Sequence, residues 1–271
     1  VTQHRNPTVA LKHRIDAGSV SDQPAVMFPI RDHNPSGRTP YVVYSLMAAN
    51  ILVYLGYFML DNAAVNQLFY DWAIFPVRIT NGQGFETLVS SMFLHAGFMH
   101  LGGNMLFLWI FGDNLEDEMG HIPFLLFYLL TGIAAGLIHV ASAPYSQVPT
   151  VGASGAIAGV MGGYLLLFPK AKVDILLILI IFFRVFAIPA WVMLGVWLGL
   201  QFIGGIGANP ETGGVAYWAH SGGFFAGLIL AVPLWLRRGG PAFWSRTHGH
   251  PPHPDAEYDY TSSRIPKVRR R

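Results

Sequence analysis

Apolar residues in this chain gather into long unbroken runs, not into stripes of helical or strand period. The first run is Tyr41–Leu60, and a second covers about 92–111. The acidic stretch "GDNLEDEMGH" reads as a turn after it. The third run is Ile122–Ala141, ended by the uncharged loop "SAPYSQVPT". The fourth is the short Gly152–Phe168, closed by "PKAK". A helix needs about 20 apolar residues to cross a bilayer, and these runs have that character. Residues 173–206 are apolar but too long for one ordinary span, and Arg184 and Pro189 interrupt them. They predict a surface or partly embedded segment up to about 187, followed by a fifth span. After "GANPETGG" the sixth span is Tyr217–Leu236. The long connection 61–90 carries Trp72, Phe75, Pro76 and Phe85 and reads as lying in the membrane interface. The pattern predicts an all-α, polytopic membrane protein of six transmembrane helices.

Composition agrees. Of 271 residues, 52% are hydrophobic and 12% charged, about half the charged fraction of soluble domains; mean hydropathy is +0.41. Cysteine is absent, so neither a disulfide framework nor a thiolate metal site is available. Residues 1–38 are rich in Pro, Gly, Asp, His and Arg and read as a flexible arm. They have no n-region and h-region of a cleavable signal peptide. Residues 39–238 form the membrane domain, and 239–271, ending "KVRRR", read as a disordered basic tail. The net charge of +2 says little, but the distribution of charge is informative. Both ends are basic, Lys170 and Lys172 close the fourth span, Arg237 and Arg238 close the sixth, and the opposite side holds Arg78 and little else basic. The positive-inside rule then makes both termini cytoplasmic in a multi-pass protein; a bacterial cell membrane is the expected setting.

Four polar residues fall at one depth. Ser154 opens the fourth span, His220 lies about one turn into the sixth, and both spans run inward. His100 and Asn104 lie in the outer half of the second span, four residues apart and so on one helix face. At about 1.5 Å per residue, all four sit roughly 5–15 Å beneath the outer surface. Buried polar groups cost several kcal/mol unless satisfied, so clustering is the economical arrangement. Gly152, Gly155, Gly159 and Gly163 make a small-residue stripe on the fourth span; Ala219, Gly223 and Gly227 make one on the sixth. Stripes of this kind let helix backbones approach closely, and facing stripes would bring the Ser154 hydroxyl to the His220 imidazole. Each feature alone has a plainer reading: a lone GxSG is ordinarily packing, a lone His a satisfied structural residue. Their conjunction at one depth points to acyl transfer.

Serine is a poor nucleophile until a base takes its proton, and neutral imidazole suits that task near pH 7. Asp113 is two turns or more below Asn104 and the other carboxylates are in loops, so a Ser154–His220 dyad is favoured over a triad. Oxyanion donors would be the Ser154 backbone N–H at a helix N-terminus, Asn104 and His100. A span that starts at Gly152, below the surface, leaves room for the water that hydrolysis needs.

These residues resemble the rhomboid intramembrane serine proteases. "GASG", with Ser154, is similar to the family's GxSG nucleophile motif, and "AHSGGFFAG" to its AHxxGxxxG helix, which makes His220 the general base. "HAGFMHLGGN" is similar to HxxxxHxxxN, which implies oxyanion roles for His100 and Asn104 and a structural role for His95. The likeness covers roughly residues 40–236. It implies a six-helix rhomboid-like bundle, no cofactor and no metal. The implied partners are the lipid bilayer and transmembrane protein substrates, cut near helix-destabilising residues; nothing points to nucleic acid. Two departures stand out. The family often carries Trp-Arg about eight residues before its first histidine, where this chain has Glu86–Thr87. It often carries an aromatic four residues after the nucleophile, where this chain has Ala158.

Two other classes also place His and Asn inside a membrane. A transporter or proton channel would favour carboxylates within spans and inverted repeats, and neither is found. A non-catalytic rhomboid-like binding protein would usually have lost Ser154 or His220. A metalloprotease is excluded by the lack of HExxH, and "HGHPPH" in the tail, which could bind metal, reads instead as a solvated linker.

Overall fold

The computed structural model describes residues 26–34, 36–179, 182–209 and 213–252. Its helices are α1 (Tyr41–Tyr57), α2 (Asn62–Trp72), α3 (Pro76–Thr80), α4 (Thr87–Ser90), α5 (Phe98–Met119), α6 (His121–Ser142), α7 (Ser154–Leu167), α8 (Ala190–Gly207), α9 (Tyr217–Arg237) and α10 (Pro241–Thr247). The strands β1 (Val26–Asp32), β2 (Lys172–Leu179) and β3 (Phe182–Pro189) form one antiparallel sheet in that order. The protein is a mostly helical, multi-pass membrane protein. Helices α6, α8 and α9 are long and apolar enough to cross a membrane. A fourth span is reached when Thr87–Phe93 and Phe98–Met119, bent by 97°, are taken together; α1 and α7 are shorter apolar helices.

Helix α7 forms the centre. Its residues Gly155 to Tyr164 are all buried. Glycines make this possible, because a Cβ would collide with backbone. One built on Gly227 would lie 1.9 Å from the Gly159 carbonyl oxygen; on Gly223, 2.1 Å from that of Gly155; on Gly162, 2.0 Å from that of Phe224. Thus α7 and α9 meet backbone to backbone, which is where apolar helices gain association energy in lipid. On the other side Gly159 receives Thr131 and Gly155 receives Ala135, both from α6. At about 1.5 Å per residue α7 is only about 21 Å long, shorter than the roughly 30 Å hydrocarbon layer.

Three expectations need correction. The second span runs over 98–119, later than 92–111, because "GDNLEDEM" is helical. Its acids are used at close range: the buried Glu116 accepts from the N–H groups of Val42 (2.9 Å) and Val43 (2.8 Å). It thereby satisfies two of the free donors that open α1. Asp117 accepts from Gly37 N–H at 2.8 Å, and Gly120, with φ +82°, ends the helix.

The arm 1–38, expected to be flexible throughout, contains β1. Val26 pairs with Ile178 and Asp32 with Val173, with a register shift between Pro29 and Arg31, where proline has no N–H to give the ladder. The Asn114 amide donates to Asp32 Oδ2 (2.7 Å) and the Tyr164 hydroxyl to the same oxygen (3.2 Å), so the strand is fixed to α5 and α7. Residues 1–25 lie outside the described residues.

The tail, expected to be disordered from 239, holds α10. The Trp244 indole donates to the Leu166 carbonyl (2.9 Å) and packs on Trp235 at 4.8 Å. His253 and the residues after it, which complete "HGHPPH" and carry "KVRRR", lie outside the described residues. The stretch expected to be a surface or partly embedded segment before the fifth span is the β2–β3 hairpin, and α8 follows it.

Candidate active site

Ser154 is the first residue of α7, and the chain approaches it under restraint. Thr150 and Ile74 exchange backbone hydrogen bonds, and Gly152 N–H donates to the Ser91 carbonyl at 2.9 Å. Gly152 itself has φ +126°, a conformation that side chains disfavour. A Cβ there would also lie 2.7 Å from the His100 ring, so glycine is needed on both counts. The opening N–H groups of α7 have no acceptor within their own helix.

His220 lies in the first turn of α9. Its Nε2 is 2.8 Å from Ser154 Oγ, although 66 positions separate the two residues. Its Nδ1 is 2.8 Å from Gln201 Oε1 on α8. The Gln201 amide nitrogen donates to the Trp197 carbonyl one turn earlier, at 3.2 Å. The Trp197 ring packs beside the imidazole, with centroids 5.9 Å apart and planes at 30°. Ala158, where the family resemblance leads one to expect a ring, is fully buried; here the aromatic neighbour of His220 comes from α8.

A cavity of about 800 Å³ opens over this pair and is lined by His100, Asn104, Ser154, Trp197 and His220 together. The four polar residues expected at one depth are therefore brought to one space. Asn104 is 7% exposed, and its Nδ2 has no hydrogen-bond partner among the described residues. That leaves a buried donor unpaired beside the cavity. His100 Nδ1 faces the Ala96 N–H at a long 3.4 Å, and its ring meets His95 edge to face at 5.1 Å. His95 is fully buried, and its backbone is held on both sides by Tyr57 of α1. The Tyr57 hydroxyl donates to the His95 carbonyl (2.8 Å) and accepts from its N–H (2.7 Å).

No carboxylate is found among the described residues that line the cavity. Asp113 lies elsewhere, next to Asn114, whose N–H it accepts at 2.7 Å. Among the described residues no three His, Asp or Glu side chains converge to hold a metal ion. Gln201 and Trp197 are the site residues that a search for ionisable partners does not find. The available signal was a lone carboxamide in an apolar run with an aromatic four residues before it. Chemically, the arrangement offers a hydroxyl bonded to a base, free donors nearby and room for a peptide segment with water.

A family model described as Rhomboid domain matches residues 82–237. The chain is 30% identical over 198 residues to Rhomboid protein 1, mitochondrial, of Saccharomyces cerevisiae, covering 69% of this chain and 51% of that protein. It is 30% identical over 150 residues to RHOMBOID-like protein 5 of Arabidopsis thaliana, covering 55% and 44%. With the rhomboid protease GluP of Bacillus subtilis it shares 33% identity over 147 residues, covering 54% and 26%. The chain spans about half the length, or less, of these relatives.

Proposed function

The chain belongs to the Rhomboid family, and from that premise we propose that it is an intramembrane serine endopeptidase with a Ser154–His220 dyad. Its substrates are transmembrane proteins, cut near the outer face of the membrane. The observation that carries this reading is the 2.8 Å contact between Ser154 Oγ and His220 Nε2, made across two helices at the floor of a cavity.

The chemistry follows from the geometry. Nε2 takes the hydroxyl proton as Oγ attacks the scissile carbonyl carbon, and the carbonyl π pair moves onto oxygen. His100, the Asn104 amide and the Ser154 N–H are the donors for that oxyanion. As the C–N bond breaks, the imidazolium returns its proton to the leaving amine, which leaves an acyl-serine. A water molecule, deprotonated by the same Nε2, then attacks the ester, and Oγ leaves with the proton. A carbonyl inside a regular helix is occupied by the N–H four residues on, so substrate segments with helix-destabilising residues present the accessible bonds. His95, Gly152, Gly155, Gly223 and Gly227 serve this site structurally, through the contacts described above. We place the membrane protease domain at 39–238 with both termini cytoplasmic, on the positive charge that flanks the spans.

The test is cleavage of a model transmembrane substrate by purified protein in detergent, wild type beside Ser154→Ala. Wild type is expected to cleave and the variant to be inactive while melting normally. Substantial cleavage by Ser154→Ala overturns the assignment. A wild type that binds the substrate and never cuts it is a non-catalytic rhomboid-like protein.

A further inference from the structure

His220 in the absence of a carboxylate presents a chemical problem. Neutral imidazole has two tautomers, and only the one with its proton on Nδ1 leaves Nε2 free to accept from a serine hydroxyl. In soluble serine proteases a buried carboxylate fixes that choice by accepting from Nδ1–H. Here no carboxylate is found among the described residues lining the cavity.

We propose that Gln201 is a positioning residue that takes the carboxylate's orienting role as a neutral acceptor: it holds the proton of His220 on Nδ1 and aims Nε2 at Ser154. The proposal rests on the dyad reading above and extends it to a third side chain, on a third helix. Its warrant is the direction of the hydrogen bonds. A carboxamide can face its partner with oxygen or nitrogen, but the Trp197 carbonyl, 3.2 Å away, accepts only from the amide N–H. That turns Oε1 toward His220 Nδ1 at 2.8 Å. Oε1 accepts only, so Nδ1 must donate. Nε2 then carries a lone pair, 2.8 Å from Ser154 Oγ. The chain of bonds has one direction throughout: serine hydroxyl to Nε2, Nδ1–H to Oε1, amide N–H to the Trp197 carbonyl.

Packing reinforces it. Gln201 is 8% exposed, so little water competes for its oxygen. Trp197 and Gln201 are four apart on α8 and share a face, and the Trp197 ring also packs on Phe224, one turn along α9 from His220. One helix face thus supplies both the ring beside the imidazole and the acceptor at its edge. Being neutral, Gln201 orients the base without placing a second buried charge beside it.

The experiment compares wild type, Gln201→Met (similar length, no strong acceptor), Gln201→Glu and Ser154→Ala in detergent. It reads kcat and KM separately, the pH profile of kcat/KM, melting, and the 15N shifts of the His220 ring. Wild type should show a single Nδ1–H tautomer. Gln201→Met should mix the tautomers and lower kcat by about 10- to 100-fold, with KM nearly unchanged, as expected of a base displaced by a fraction of an ångström. Gln201→Glu should recover a defined Nδ1–H and part of kcat, with the acidic limb of its profile moved to higher pH by the added charge. Wild-type kcat and a single Nδ1–H tautomer in Gln201→Met would overturn the proposal. So would an Nε2–H tautomer in wild type, a result that stands even if Gln201→Met does not fold. Activity in Ser154→Ala would sink the dyad itself, whereas an inactive Ser154→Ala beside an unaffected Gln201→Met sinks only the positioning role.

Discussion

Replacing Gly227 by alanine tests whether backbone contact between α7 and α9 sets the geometry of the candidate site. The added Cβ would fall 1.9 Å from the Gly159 carbonyl oxygen and 2.5 Å from the Gly159 Cα and carbonyl carbon. All three atoms are backbone, so no rotamer change relieves the clash. Real Cβ atoms essentially never come within 3.0 Å of a neighbour, so α9 must withdraw by about 1 Å from that point. His220 lies two turns up α9 from Gly227, and Ser154 somewhat more than one turn up α7 from Gly159. If even half the opening reaches them, the 2.8 Å contact between Ser154 and His220 leaves the hydrogen-bonding range. Overpacking of this kind costs about 1–3 kcal/mol of stability, and misplacing a reacting pair by about 1 Å costs on the order of 10² in rate. The assay is thermal melting in detergent together with kcat and KM on a transmembrane substrate. Gly56→Ala is the control, since a Cβ there has nothing within 4 Å. Gly227→Ala should melt lower and lose kcat, while Gly56→Ala should do neither. A Gly227→Ala protein that melts and cleaves like wild type would refute the close approach and, with it, the account of how the dyad is held.

Two further outcomes are expected. Asn104→Ala should lower kcat by about 10- to 1000-fold with little change in KM, because an oxyanion donor acts chiefly in the transition state. Melting should hold, because the Asn104 Nδ2 has no partner to lose among the described residues, and unchanged kcat would remove it from the machinery. Burial and then the nearby Asp113 carboxylate push Asp32 from an ordinary 3.8 up to about 8. The folded protein therefore holds this proton more tightly than the unfolded chain. The resulting stability is full below about pH 4 and is lost as pH rises through about 8. Asp32→Asn should flatten melting temperature against pH over that window, and equal slopes in both proteins would contradict the shift.

The parts of the fold that lipid dictates were legible in the sequence. Helices α6 and α9 end within a residue of their apolar runs, because a segment in hydrocarbon must satisfy every backbone group internally. What escaped depends on distant partners. The end of α5 was hidden because charge usually marks solvent, whereas Glu116 turns its carboxylate onto α1, more than seventy residues away. Strand β1 was hidden because a polar arm pairs with a strand more than 140 residues later, and no local pattern announces such a register. The site followed the same division. Ser154, His220, His100 and Asn104 are polar groups in apolar runs, and their common depth could be counted from helix rise. Gln201 satisfies the same criterion, but its role depends on α8 facing α9, which spacing does not reveal.

On the proposed reading, the position of Ser154 answers two demands that conflict. A serine hydrolase needs water at its nucleophile, whereas a transmembrane helix as substrate would have to be received from lipid. A serine midway along a full-length span would be dry; one in a loop would lack a rigid partner for its base. Helix α7 resolves this by being short and central. Its first residue is the serine, its approach is pinned by Gly152 to Ser91 and Thr150 to Ile74, and its body is locked to α9 by glycines. The cavity above has the same double character, with Phe107, Met161 and Trp197 on walls shared with His100 and Asn104. Because backbone contacts fix the α7–α9 distance, side-chain changes on the outer faces of these helices have little leverage on the dyad. Changes at Gly155, Gly159, Gly223 and Gly227 have a great deal. The small-residue stripes are therefore part of how the site is built, and the serine–histidine distance is a property of helix packing before it is a property of either side chain.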